Sequence, residues 1–251
     1  MRKKIELYNG KVNIEFDEGR HIFYGEKGEI LLSVTGATGV IDKSPALMGW
    51  AVKMMSKYLI DRFRKGGEVD EIMILEAKKE YRLAQKKAAD IGTEIHAWVS
   101  DWILGKKPEM PQDENVVNGI TAFLKFQKEH KIKWIESEKY IYSKEYKYAG
   151  ILDAVARING ELVLVDFKSS NSIEYPEYAL QIAGYMIAYE EEVKKKIDYR
   201  LLIKFGKNDG NFSYKKLEDN KTDKEGFLAC LKLKKTLKQI NDRKTNKRNS
   251  S

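Results

Sequence analysis

Residues 148–170, YAGILDAVARINGELVLVDFKSS, constrain this chain more than any other stretch. Two apolar runs flank Asn159-Gly160, a pair that readily takes the positive φ values of a two-residue β-hairpin turn. With that turn, Ile158 faces Glu161, and counting outward sets Asp153 opposite Asp166 on one face, Cβ atoms about 5 Å apart. Lys168, two residues beyond Asp166, points to the same face. A one-residue slip or a bulge would move Asp153 away.

Leu152, Ala154, Ala156, Val163 and Val165 occupy the other face, and Val155, Leu162 and Leu164 accompany the acids. Strands apolar on both faces are central and covered on both sides. Two facing carboxylates there repel, so one pKa rises unless a cation intervenes. Lys168 neutralises one of them. A divalent metal neutralises both, and oxygen ligands suit Mg²⁺ or Mn²⁺. The competing interpretation is a buried Asp–Lys pair, with the second aspartate wet at a strand end. Under the metal interpretation the residue types fit phosphodiester hydrolysis: the carboxylates hold an ion that polarises the phosphate and activates water. Lys168 then orients that water or stabilises charge developing on the phosphate.

The rest of the chain sets bounds. Its 251 residues suit one large α/β domain or two small ones. Apolar runs fall short of a bilayer crossing and the N-terminus lacks the apolar core of a secretory signal, so no membrane association and a cytoplasmic location are expected. Cys230 is the sole cysteine, too few for an intrachain disulfide or an iron–sulfur cluster. The net charge of +8 fits a polyanionic partner such as nucleic acid, with lysine-rich solubility as the alternative.

The first 35 residues alternate between short strands and turns at Asn9-Gly10, Glu18-Gly19 and Glu26-Lys27-Gly28. A Gly/Thr loop then leads into a helix with Pro45 in its first turn, ended by Gly66-Gly67. Further helices are expected from Glu68 to about Ala89, over DIGTEIHAWVSDWILG, and over ENVVNGITAFLKFQKEH capped by Asp113. Strands follow over IKWIESEKYIYS and the hairpin, then a helix from Pro176, two strands split by Asn208-Asp209-Gly210, and a last helix over 222–241. The expected organisation is one domain over 1–241, with a helical lobe at about 36–130, a catalytic sheet at 132–217, and a basic flexible tail at 242–251 bearing Arg243, Lys244, Lys247 and Arg248.

Asp153, with Asp166-Phe167-Lys168 ending an apolar strand, resembles the core motif of the PD-(D/E)XK nucleases. GTEIH at 92–96, ESEKYIYS at 136–143 leading into YAGILD, and QIAGY at 181–185 make the likeness closer to the RecB-like exonuclease branch, which includes CRISPR-adaptation, mitochondrial-maintenance and phage exonucleases. LLSVTGATGVIDKSPALMGWA is similar to the opening of phage-type members. The resemblance covers about residues 30–190, with the motifs in family order.

It implies a restriction-endonuclease-like α/β fold, a mixed central sheet flanked by helices with an N-terminal helical lobe, and a Mg²⁺- or Mn²⁺-dependent DNA exonuclease. The implied partners are DNA with an accessible end and phage or mobile-element replication or recombination proteins, in a bacterial host or phage-infected cell. It implies metal ligation by His96, Asp153, Asp166 and the Phe167 carbonyl. Glu138 matches the upstream acid, which binds metal directly, through water or at a second ion; an exposed strand glutamate, like Glu136 and Glu145, is the alternative. Gln181 and Tyr185 share a helical face and, by the resemblance, line the site and position DNA and the lysine; plain helix packing is the alternative. Ser33, Thr35 and Lys43 are candidate phosphate contacts or a solvated loop. Trp50, Trp98, Trp102, Tyr140, Tyr142, Tyr146 and Tyr148 either stack bases or fill the core. The iron–sulfur members carry four cysteines, so no such cluster is expected here. An endonuclease on the same core and a non-catalytic nucleic-acid-binding module are the rival functions.

Overall fold

The computed structural model describes residues 2–68, 70–170 and 172–249, with side chains as far as Arg243. It divides into two compact units, Met1–Ile41 with His96–Ser251, and Asp42–Ile95.

In the first unit, β1 (Arg2–Leu7), β2 (Val12–Asp17), β3 (Ile22–Tyr24) and β4 (Ile30–Ser33) form an antiparallel meander. Alternate residues Ile5, Leu7, Val12, Ile14 and Phe16 turn inward onto Tyr142 and Ala149, the period-two pattern of a half-buried sheet. The chain continues through α1 (Val34–Thr38), α4 (Glu114–Glu129), β5 (Ile132–Ser143), β6 (Tyr148–Ile158), β7 (Glu161–Lys168), α5 (Pro176–Val193), β8 (Tyr199–Phe205), β9 (Phe212–Leu217) and α6 (Asn220–Asn249). Among the described residues the strands make one nine-stranded sheet, ordered β1-β2-β3-β4-β6-β7-β8-β9, with β5 on the other edge of β6. The β4–β6 and β7–β8 pairs are parallel, so the expected mixed sheet flanked by helices is the fold observed.

One face is covered by α1, α5 and α6, where Ile182, Tyr185, Met186 and Phe227 meet Val155, Leu162 and Leu164. On the other face α4 carries Phe123, whose ring meets Trp98, Trp102, Trp134, Phe167 and Phe205. Trp98, Tyr142 and Tyr148 are buried and Trp102 is half-buried against Phe123, so packing is the contact the structure shows for them. Asp113 caps α4 as expected, accepting from the N–H groups of Asn115 and Val116.

The second unit holds α2 (Ser44–Arg64), with Pro45 in its first turn, and the first part of α3 (Glu71–Ile103). Tyr58 donates to Glu76 at 2.5 Å and Arg62 pairs with the same carboxylate at 3.4 Å, tying the two helices. No helix is long and apolar enough to cross a membrane among the described residues.

Several expectations change. The two helices anticipated between Glu68 and Gly105 are the single helix α3. Gly92 costs only about 1 kcal/mol in a helix interior, and with no proline nearby nothing stops propagation. The Gly/Thr loop contains the short helix α1, nucleated by Ser33, whose Oγ accepts from Gly36 N at 2.9 Å. The helical lobe drawn at 36–130 is narrower as a compact unit, Asp42–Ile95, and α4 belongs with the sheet. Backbone through Asn249 continues α6 across most of the segment expected to be a flexible tail; the side chains of Lys244, Lys247 and Arg248 lie outside the described residues.

Candidate metal centre

The site begins at the hairpin. Asn159 and Gly160 have φ of 53° and 91°, and the register runs from Ile158 opposite Glu161 to Ala154 opposite Val165, as the turn demands. The ladder stops there, one pair short of Asp153 and Asp166. One edge of β6 is occupied by β4 at Tyr148 and Ala149 and by β7 from Ala154 onward. The sheet therefore forks between them, and Asp153 stands at the fork. In a continued ladder the Phe167 N–H would reach the Leu152 carbonyl. Instead it donates to Asp153 Oδ2 at 2.7 Å, so the carboxylate replaces a ladder acceptor and is locked in direction.

The opposite edge of β6 is distorted too. The β5 register shifts between Trp134 and Glu136, and Glu138 has a φ of 48°. A non-glycine residue in that left-handed region costs about 1–3 kcal/mol and clusters at functional sites. The outcome is convergence: His96, Glu138 and Asp153 each bring one ligand atom to within 4.8 Å of one another. His96 comes from α3, with Nδ1 at 3.7 Å from Asp153 Oδ1. Its ring stands edge-on to Phe167 at 6.0 Å between centroids, which wedges it over the end of β7. Glu136 is half-buried and paired with Lys139 at 3.1 Å, not the exposed strand glutamate first expected.

Asp166 is not among the three converging residues. It is 1% exposed, and the Lys168 ammonium lies 2.7 Å from its Oδ2. That contact is an ion pair off the hydrogen-bonding angle, since Oδ2 is buried without a hydrogen bond. Burial drives the Asp166 carboxyl above its ordinary range; Lys168 opposes this and the Asp153 charge adds to it. Burial pulls the Lys168 ammonium down, but the charges of Asp166 and Asp153 outweigh it and hold the group above its usual value. Lys168 therefore stays protonated. Its ammonium donates to Gln181 Oε1 at 3.3 Å, and Gln181 Nε2 donates to Tyr185 Oη at 3.0 Å. Burial first and the charges of Asp166 and Asp153 next raise the Tyr185 hydroxyl. Gly150 admits that ring, because a Cβ there would stand 2.9 Å from Tyr185 Cε1.

Sequence reasoning missed Tyr178, whose ring centre lies 4.5 Å from the Lys168 ammonium. The signal was its spacing: Tyr178, Gln181 and Tyr185 lie three and four residues apart on one face of α5. Ser33 and Thr35 share a hydrogen bond at 3.2 Å at the start of α1, and Lys43 belongs to the second unit.

The donor set fits a hard divalent cation. Two carboxylates and an imidazole, beside a buried carboxylate oxygen lacking a hydrogen bond, suit Mn²⁺ and, with less preference for the imidazole, Mg²⁺. The Glu138 carboxyl is pushed up to about 7, by crowding of protein around it and then by the Asp153 charge. It is nevertheless exposed to solvent, which tempers the desolvation part. A cation bound there would compete with protons at Glu138, so Mn²⁺ affinity is expected to rise as pH passes through about 7. Titration calorimetry at several pH values measures this, and Glu138→Gln should flatten the profile. The same raised pKa contributes stability to the metal-free protein below the ordinary carboxylate range, and that contribution is lost as pH rises through about 7. Added Mn²⁺ should therefore raise the melting temperature more at pH 8 than at pH 5.5, and less in His96→Ala.

No protein-family model and no curated protein sequence matches the chain. Among solved structures it is similar to an alkaline exonuclease (LHK-Exo) from Laribacter hongkongensis, at 13% identity and a TM-score of 0.30 over 62% of this chain and 91% of that one. It is also similar to SSO0001, at 14% identity and a TM-score of 0.28 over 46% of this chain. The match spans 56% of the length of SSO0001. Likenesses this distant carry no function across.

Proposed function

We propose that this chain is a metal-dependent deoxyribonuclease of the PD-(D/E)XK type, RecB-like in its motifs, that hydrolyses phosphodiester bonds from a DNA end. The observation that carries the reading is the meeting of two groups where β4 and β7 part along the edge of β6. His96, Glu138 and Asp153 converge within 4.8 Å, and the Asp166–Lys168 pair, 2.7 Å between its charged atoms, feels the charge of Asp153. The first group would hold a divalent cation, with Asp166 and the Phe167 carbonyl as further ligands, and that ion would supply Lewis-acid polarisation and a lowered pKa for bound water.

The chain's own residues do the rest. Asp166 keeps Lys168 charged, and Gln181 and the Tyr178 ring fix the ammonium's position. An ammonium held in a site of low dielectric stabilises the charge that builds on the phosphoryl oxygens as water adds to phosphorus and the P–O bond to the leaving oxygen breaks. Tyr185, kept protonated, holds Gln181 and takes no proton from water. The sequence likeness to phage-type exonucleases supports a role in phage or mobile-element DNA replication or recombination.

Linear DNA labelled at either end, single- and double-stranded, tests the reading in Mg²⁺ or Mn²⁺. Mononucleotides or short products released from an end are expected, and EDTA should abolish them. Cleavage of a covalently closed single-stranded circle would place the protein among endonucleases. DNA binding without any hydrolysis would make it a binding module.

A further inference from the structure

A second polar cavity opens directly beside the site. Its volume is about 250 Å³, and its lining includes Ser169 and Ser170 at the end of β7 and Lys204, Lys207 and Asn208 at the end of β8. Lys168 and Lys204 are register partners on these parallel strands, whose backbones run about 4.8 Å apart, so the lining begins with the residue after Lys168 and with the partner of Lys168 on the next strand. Carboxyl ends of adjacent parallel strands are where open α/β sheets receive ligands.

The walls are preformed. Gly206 N donates to Asn211 O at 2.7 Å and Gly210 N to Gly206 O at 2.9 Å, closing the β8–β9 loop on itself. Asn118 of α4 donates to the Lys207 carbonyl at 3.3 Å and Lys125 to Asn211 Oδ1 at 3.1 Å, pinning the loop to the helix layer. Asp209, the carboxylate of the lining, is turned onto Asn211 N at 3.0 Å and feels the charge of Lys204.

Lys207 is different. Its ammonium is half-buried and, among the described residues, pairs with no carboxylate. Burial alone lowers its pKa, which marks a cation short of an anion. The Ser169 hydroxyl likewise has no hydrogen-bond partner among the described residues. A desolvated amine and a free hydroxyl in a rigid polar cavity match the needs of a phosphate group: charge neutralisation and a donor at fixed spacing.

We infer that this cavity, through Lys207 and Ser169, binds a backbone phosphate of the DNA strand next to the one positioned at Lys168. The inference rests on the nuclease reading and adds to it a second phosphate subsite, which sets affinity and register without reading sequence.

Fluorescence anisotropy with a labelled single-stranded oligonucleotide, in EDTA so that nothing is cut, tests it over a series of salt concentrations. Lys207→Ala should weaken binding about 3- to 10-fold and reduce the slope of log K against log salt by about 0.7, the value of one lost phosphate contact on a single strand. Lys207→Glu should weaken binding further, and Lys207→Arg should keep the wild-type slope. The half-exposed position makes these variants fold, and thermal melting checks that they do. An unchanged slope in Lys207→Ala and Lys207→Glu, with wild-type protein that binds and cuts DNA, would overturn the subsite and leave the nuclease reading standing. Wild-type protein that neither binds nor cuts DNA would overturn both.

Discussion

Replacing Lys168 with alanine should abolish most DNA hydrolysis, by about 10²- to 10³-fold, while DNA binding changes little. The magnitude is that of removing one preorganised group aimed at developing charge. The direction follows from the surroundings. The Lys168 ammonium is held by Asp166 at 2.7 Å, by Gln181 at 3.3 Å and by the face of Tyr178 at 4.5 Å. Its side chain is 13% exposed, so it contributes little to long-range attraction of DNA and much to local charge stabilisation. Lys168→Met, which keeps the aliphatic stem, should fail equally; if it retained wild-type rates, the ammonium would have no part in the chemistry. In both variants Asp166 loses its counter-charge in a buried place and should protonate at a still higher pH. Single-turnover rates, with anisotropy for binding, separate the two effects.

The largest effect on stability should come from Arg200, which takes no part in the proposed chemistry. It sits on β8 with no exposed surface, and its guanidinium donates to Asn220 Oδ1, to the carbonyls of Ala179 and Asp219, and to Asp223 Oδ2 at 2.7 Å. One side chain thus ties the sheet to α5 and to the start of α6. Arg200→Met fills the volume but leaves Asp223 and two carbonyls without their donor. Breaking a buried pair from one side costs about 3–5 kcal/mol, a large part of the stability of an ordinary domain. Urea denaturation followed by far-ultraviolet circular dichroism should show the midpoint fall by a corresponding amount. Restoration by the double variant Arg200→Met with Asp223→Leu would identify the stranded carboxylate as the main loss.

How far the site could be read in advance depends on the range of each interaction. The hairpin was legible because Asn159-Gly160 is a local device: its two positive φ values set the register of everything paired outward from it. The aspartate and lysine positions on β6 and β7 follow from that count, and so does the shared face of Asp166 and Lys168. The cap at Asp113 is local in the same sense. The reading failed where cooperative or non-local terms decide. Two expected helices merged into α3 because a lone glycine cannot outweigh helix propagation on both sides. Tyr178 was passed over because its ring matters only once Lys168 is placed above it.

Sequence alone, then, determined the turn, the alternation of residues from Ala154 to Ile158 and along β7, and which residue types are available to hold an ion; Leu152, expected on the other face, packs with Val155, Leu162 and Leu164 because the ladder ends at Ala154. Tertiary structure decided that β6 gives up its ladder at Asp153, that Glu138 is bent into a left-handed conformation, and that a helix far back in the chain delivers His96 to the same point. The physical reason is the reach of the forces involved. Turn geometry and side-chain alternation are set by bonds a few residues long. A fork in a sheet is set by which strands compete for one edge, and that is known only when the whole chain has packed.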